Sequence, residues 1–231
     1  DFSLSPPDLK NLKEIFKELE FNKLLRELLE ERESPPTTRD YRLITEQNEF
    51  LALIENLKKA TTFSIDLETT SPYSMWADLV GVSLSYAPHQ AFYIPIGHRQ
   101  QEMNDQLPLL WVMDQLKPIL EDREVKKVFQ NIKYDCTVLK RYGIYLLGIL
   151  GDTMIASYLL NPTKHNHNLG EIAREYLDRN VTDYKEVVGT GSKEVTFDRV
   201  ELERAKDYSC GDADVTLQLS HLLLPKLEEG G

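Results

Sequence analysis

Asp66 and Glu68 stand two residues apart, Asn131 and Asp135 four apart, and Tyr208 and Asp212 four apart. Two is the repeat at which side chains return to one face of a strand, and four is the repeat at which they return to one face of a helix. Each pair therefore points one way from its own element. On a strand the Cα atoms of Asp66 and Glu68 would lie ~6–7 Å apart. That separation lets two carboxylates flank divalent cations ~3.5–4 Å from each other. Four convergent carboxylates would suit two hard cations and a phosphodiester, and so the hydrolysis of nucleic acid.

Taken singly, each pair also has an ordinary structural meaning. Asp-x-Glu can be two solvated acids on a half-exposed strand. Asn131 can cap a helix that carries Asp135 on its surface. Tyr208 and Asp212 can be a half-buried ring and a surface acid. The combination, in this order, is far more specific than any member.

The surrounding residues supply elements of the kinds required. Phe63, Ile65 and Leu67 alternate with Ser64, Asp66 and Glu68, which is strand periodicity. Val80, Val82, Leu84 and Tyr86 repeat the pattern, and 91–96 follows after the turn 87–90, giving an antiparallel meander. A helix after Thr45, a helix near 106–121, a strand near 125–129, a helix near 131–142 and a fifth strand at 146–150 complete the pattern, and 41–44 is a candidate short edge strand outside that count. Beyond Asp152, read as a helix cap, the chain is largely helical, and a long C-terminal helix carries Tyr208 and Asp212. Gly211 lies inside that helix at a cost of ~1 kcal/mol relative to Ala, which either marks a close neighbour or is simply tolerated. The expected fold class is α/β, with a five-stranded mixed sheet flanked by helices. Residues 1–40 read as a helical segment and linker, with Ser5, Pro6 and Asp8 at a helix start and Ser34-Pro35-Pro36 in the linker. Residues 41–231 read as one domain.

Charge bears on the partner. Lys+Arg 27 against Asp+Glu 38 gives a net charge of −11. A protein that grips duplex by its phosphates is usually basic. Bound cations would supply the missing positive charge locally. Cys136 and Cys210 are read as free thiols in a reducing, cytoplasmic setting. No apolar run reaches the ~20 residues a membrane span needs. His165-Asn166-His167 has zinc-like spacing without a partner cluster, so a polar loop is the reading there. Gly189-x-Gly191 lacks the spacing of a phosphate-binding loop.

Asp66-Leu67-Glu68-Thr69-Thr70-Ser71, Asn131-Ile132-Lys133-Tyr134-Asp135 and Tyr208-x-x-x-Asp212-Ala213-Asp214 resemble the three motifs of the DEDD exonuclease superfamily, tyrosine branch. More narrowly they resemble the 3′–5′ proofreading domain of bacterial family A DNA polymerases. The resemblance runs from about Tyr41 to Leu227 and includes Gly189-Thr190-Gly191-Ser192-Lys193 and Val195-Thr196-Phe197. It implies a ribonuclease H-like fold, two divalent ions (Mg²⁺ or Mn²⁺), a single-stranded or frayed 3′ end of DNA as substrate, and a covalently linked polymerase domain. Residues 1–40 resemble the end of the 5′ nuclease region that precedes such a domain.

By that resemblance Asp66, Glu68 and Asp212 hold the tighter ion, and Asp66 bridges to the second, with Asp135 in its outer shell. Tyr208 orients the attacking water. Gln130, Asn131 and Thr69 contact the terminal nucleotides, and Tyr184 stacks on a base. Pro72 stands where the family often has a Leu wedged against the terminal bases. Two other readings share part of the pattern: an RNase D-like 3′ exoribonuclease, and a catalytically dead scaffold domain of a polymerase. The presence of all four carboxylates speaks against the second.

Overall fold

Two helices come first in the computed structural model, which describes residues 8–19, 21–30, 38–99 and 106–230. They are α1 (Leu9–Glu18) and α2 (Asn22–Glu30). Asp8 caps α1, its carboxylate accepting from the Asn11 N–H at 3.2 Å. Ser5, Pro6 and the Ser34-Pro35-Pro36 linker lie outside the described residues. The helical pair is docked on the rest of the chain. Leu25 and Leu28 are buried, and the Lys13 and Lys17 ammoniums meet the Asp178 carboxylate at 2.8 and 2.6 Å.

The sheet follows from the alternating segments. Its strands are β1 (Asp40–Leu43), β2 (Thr62–Thr69), β3 (Leu79–Ala87), β4 (Gln90–Pro95), β5 (Lys126–Phe129) and β6 (Ile149–Asp152). Their spatial order is β1-β4-β3-β2-β5-β6. β2, β3 and β4 form the antiparallel meander, while β1, β5 and β6 join in parallel. The mixed α/β class stands, but the sheet has six strands rather than five. The short segment at 40–43 earns its place because Tyr41 and Leu43 pack on the side chains beneath β4. The last strand lies further along than 146–150, at Ile149–Asp152.

Helices cover both faces. On one side lie α3 (Gln47–Lys59), α4 (Leu109–Leu120) and α5 (Ile132–Arg141). Phe50, Leu57, Leu116 and Leu139 from these helices pack against Phe63, Ile65, Leu67, Val82 and Leu84 of the sheet. α3 starts one residue later than Thr45 suggests, with Glu46 at the cap position and no capping side-chain bond. The other side carries α6 (Thr153–Leu160), α7 (Leu169–Leu177), the short α8 (Tyr184–Val188) and the 28-residue α9 (Leu202–Glu229).

The apolar pattern of β2 decides which way its acids face. Burying Phe63, Ile65 and Leu67 is worth ~1.5–3 kcal/mol for each side chain. A slip of one residue would expose all three and drive Asp66 and Glu68 into the apolar layer. The carboxylates therefore face α9.

Candidate active site

α9 approaches β2 closely because both contact surfaces are small. Ser64, Gly81, Ser83 and Ser85 line the sheet, and Ser209, Cys210, Ala213 and Ser220 line the helix. The Ser64 hydroxyl donates to the Ala213 carbonyl at 2.6 Å, bridging strand and helix backbone. Ser209, one turn before Asp212, donates to Glu68 Oε1 at 2.8 Å. This bond ties the first motif to the third. Gly81 lies opposite Glu68, and a Cβ there would meet the Tyr93 hydroxyl at 2.1 Å. The space is used by the buried Tyr93 ring, whose hydroxyl is bonded to His98 Nε2 at 2.7 Å. Just after Glu68 the pairing of β2 with β3 shifts register, so the strand bends where the pair of acids ends. Gly211, by contrast, has open space around it, and no neighbour requires it.

Asp135 comes from the first turn of α5 and is buried beside the other three. Asn131 holds the cap position but does not cap. Its backbone is left-handed (φ 68°) and its side chain makes no capping bond. The Asp152 carboxylate does that work, accepting from the Ile132 N–H at 2.6 Å and from the Ile155 N–H at 3.0 Å. One acid thus caps α6, as the sequence suggests, and also α5. Among the described residues Asp135 Oδ2 has no hydrogen-bond partner.

These carboxylates raise one another's pKa. Burial pushes Asp66 up to about 6. Burial, and then the charges of Asp66 and Asp212, hold Glu68 well above the usual range. Asp135 is raised by burial and by Asp66, Asp152 and Glu68, and Asp212 by burial and by Asp66. Asp66 acts on each of the other three, which places the four acids near one another. An all-oxygen, acid-rich donor set with an unsatisfied buried oxygen fits hard divalent cations. Among the described residues no group of three His, Cys, Asp or Glu side chains is arranged to hold an ion as it stands.

A stability prediction follows. A raised carboxylate pKa means that the folded chain binds protons the unfolded chain has released, so stability from these groups falls as pH rises from about 4 through 6 and beyond. In chelator, Asp135→Asn is expected to melt higher than wild type at pH 7.5, with the gap closing at pH 5. Parallel melting curves at both pH values would contradict the clustered charge.

Tyr208 is half-buried, and the charge of the nearby Asp212 carboxylate acts on its hydroxyl. Burial and then the neighbouring acids push the phenol well above 10. Phe197 packs against it at 5.9 Å and Tyr184 at 6.2 Å, and Tyr184 stacks on Phe197 at 6.1 Å with 13° between planes. Tyr184 is 44% exposed and is pushed up to about 12 by burial first and then by Glu68. It therefore borders the acid cluster with part of its ring free.

The remaining candidates divide. Thr69 is buried next to Glu68, its hydroxyl bonded to the Tyr134 hydroxyl and to the Ser71 carbonyl. Pro72 is exposed on the connection that follows, and Asn131 is exposed at the start of α5. Gln130 is engaged within the protein: its amide donates to the His167 carbonyl at 3.1 Å and accepts from Thr153. His167 is itself bonded to Ser157 at 2.9 Å and packs on Tyr158. Both cysteines are free thiols, Cys210 buried and Cys136 half-buried. The fold adds Ser209, Phe197 and Tyr134 to the site, three residues to which sequence analysis gives no role. Ser209 is within reach of sequence reasoning, since three residues separate it from Asp212 on one helix. No local signal marks the Phe197 contact, which depends on how the chain returns between α8 and α9.

The model of the 3′–5′ exonuclease family matches residues 41–228. The chain belongs to this exonuclease family. DNA polymerase I of Pseudomonas aeruginosa is 36% identical over 96% of this chain, and the chain spans 26% of that polymerase. Among solved structures, Brucella melitensis NrnC with bound Mg²⁺ superimposes with a TM-score of 0.58 at 22% identity, covering 84% of this chain and 83% of NrnC. The catalytic core of RRP6 from Trypanosoma brucei gives 0.64 at 18–19% identity, covering 85% of this chain and about half of that core. These two likenesses concern the fold of the exonuclease, and the polymerase relative places it as a 3′–5′ exonuclease domain of the DNA polymerase I type. No helix among the described residues is long and apolar enough to cross a membrane.

Proposed function

We propose that this exonuclease uses two divalent cations, Mg²⁺ or Mn²⁺, to release nucleoside 5′-monophosphates from an unpaired 3′ end of DNA. In this reading it is the proofreading module of a longer polymerase. Residues 1–40 are then a helical segment and linker, and 41–231 the exonuclease domain. A cytoplasmic setting suits the two free thiols. The observation that carries the proposal is the gathering of Glu68, Asp135 and Asp212, from three elements, around Asp66, whose charge acts on each of them.

Asp66, Glu68 and Asp212 would hold one cation, and Asp66 with Asp135 would face the other. When bound, such ions supply the positive charge that lowers a water's pKa and stabilises the departing 3′ oxygen. The chain's own residues do the positioning. Ser209 fixes the Glu68 carboxylate, leaving its second oxygen available. Tyr208 presents its hydroxyl beside Asp212, where it orients the nucleophile. The free part of the Tyr184 ring suits a terminal base, with stacking worth ~1–3 kcal/mol. A mismatched end already has the unstacked bases such a site needs, so errors are selected without reading sequence.

Rates on 5′-labelled single-stranded DNA, matched RNA and blunt duplex in Mg²⁺ test the substrate. Single-stranded DNA is expected to be digested fastest, and the blunt duplex slowly. Faster digestion of RNA would favour the RNase D-like alternative, and equal rates on duplex and single strand would contradict the need for frayed ends.

A further inference from the structure

Nine residues connect β2 to β3, from Thr70 to Asp78, and three of them expose large apolar side chains: Tyr73 is 72% exposed, Met75 64% and Trp76 79%. A loop of this kind gains nothing for folding by carrying them, because none is buried. Its backbone is nevertheless held firmly. The Thr70 N–H donates to the Asp78 carbonyl at 3.0 Å, and the Asp78 N–H donates back to the Thr70 hydroxyl at 3.0 Å. Inside that clasp the Trp76 N–H donates to the Tyr73 carbonyl at 2.9 Å. Ala77 is fully buried beneath the loop.

The loop is also anchored along α5. The Tyr134 hydroxyl donates to the Ser71 carbonyl at one end, and the Arg141 guanidinium donates to the carbonyls of Ser74 and Ala77 at the other. Tyr134 and Arg141 are seven residues apart on the helix, or ~10 Å at 1.5 Å per residue. The exposed rings thus begin next to the acid cluster and lead away from it over a distance of two to three nucleotides.

We propose that Tyr73 and Trp76 form a stacking platform for unpaired bases of a single DNA strand, upstream of the nucleotide being removed. The inference rests on the exonuclease reading of the acid cluster. Three observations select bases as the occupant. The loop leaves β2 directly after Asp66 and Glu68. Its rings are presented by a backbone already ordered, so little is lost on binding. Acids outnumber bases, Asp+Glu 38 against Lys+Arg 27, which weakens any grip on a strand by its phosphates and favours a contact on the bases. Stacking on an aromatic ring suits any base, as an enzyme indifferent to sequence requires.

The test uses oligodeoxythymidylates of two and eight residues with the full chain in Mg²⁺. Trp76→Ala is expected to raise KM for the octamer by about fivefold to a hundredfold, with less than a twofold change for the dinucleotide. Trp76→Phe should recover most of the loss. An octamer KM that Trp76→Ala and Tyr73→Ala leave unchanged overturns the proposal and leaves the patch to a protein partner. A second readout separates the platform from the chemistry. Of the two tryptophans, Trp111 packs against Phe50 and Trp76 faces solvent. In an Asp66→Ala background the octamer should quench Trp76 emission even though nothing is cut. Quenching without cleavage by the wild-type chain would uphold the platform and sink the exonuclease reading, whereas cleavage without quenching would do the reverse.

Discussion

Asp66→Ala is expected to reduce turnover on single-stranded DNA by about 10³-fold or more while leaving the fold intact. Asp66 is central to the acid cluster, since its charge acts on Glu68, Asp135 and Asp212 alike. Removing it takes away a carboxylate that both cations would share. Charge stabilisation by such ions is worth several kcal/mol, and ~4 kcal/mol corresponds to about a thousandfold. The fold should survive because Asp66 is not part of the apolar layer, and its loss relieves repulsion among buried acids. A circular dichroism melt beside the kinetic measurement checks both halves. Activity within tenfold of wild type would contradict the assignment, and so would a variant that fails to fold.

Tyr208→Phe is expected to slow turnover by about tenfold to a hundredfold, without abolishing it. A phenol held well above pH 10 by burial and by three neighbouring acids cannot serve as a base at neutral pH. What it offers is one hydroxyl near Asp212, placed by the rings of Phe197 and Tyr184 and free to bond the nucleophile. A hydrogen bond involving a charged group contributes ~1.5–3 kcal/mol, which matches that range of rates. The ring itself stays, so its packing is kept. Turnover of Tyr208→Phe should be measured beside Asp66→Ala on the same strand at saturating Mg²⁺. If the two fall equally, Tyr208 does more than orient. If Tyr208→Phe matches wild type, the hydroxyl has no part in the chemistry.

Much of this site is legible in the sequence because its members obey short-range periodicities. Alternation in 63–68 gives both the strand and the side on which Asp66 and Glu68 stand. Four-residue spacing puts Tyr208 with Asp212 on one face of α9, but not Asn131 with Asp135, because Asn131 is left-handed and exposed just before α5 begins. Contacts made across the chain leave no such trace. The capping of α5 by Asp152, rather than by Asn131, depends on a strand end twenty residues further on meeting the first turn of the helix. Gln130 sits next to the motif in sequence, yet its amide is spent on Thr153 and the His167 backbone. The strand at 40–43 is too short for its pattern to rank it above a loop, and only pairing with β4 makes it the sixth. Gly211 has two readings in the sequence, a close neighbour or simple tolerance, and only the open space around it decides for tolerance.

Metal-dependent trimming is best checked by digesting a 5′-labelled single-stranded oligodeoxynucleotide with the wild-type chain, Mg²⁺ being withheld and then restored. No cleavage is expected in chelator. On adding Mg²⁺ a ladder should shorten one nucleotide at a time from the 3′ end, with nucleoside 5′-monophosphates as the only small product. Cleavage that persists in excess chelator, or that releases nucleoside 3′-monophosphates, would contradict this expectation.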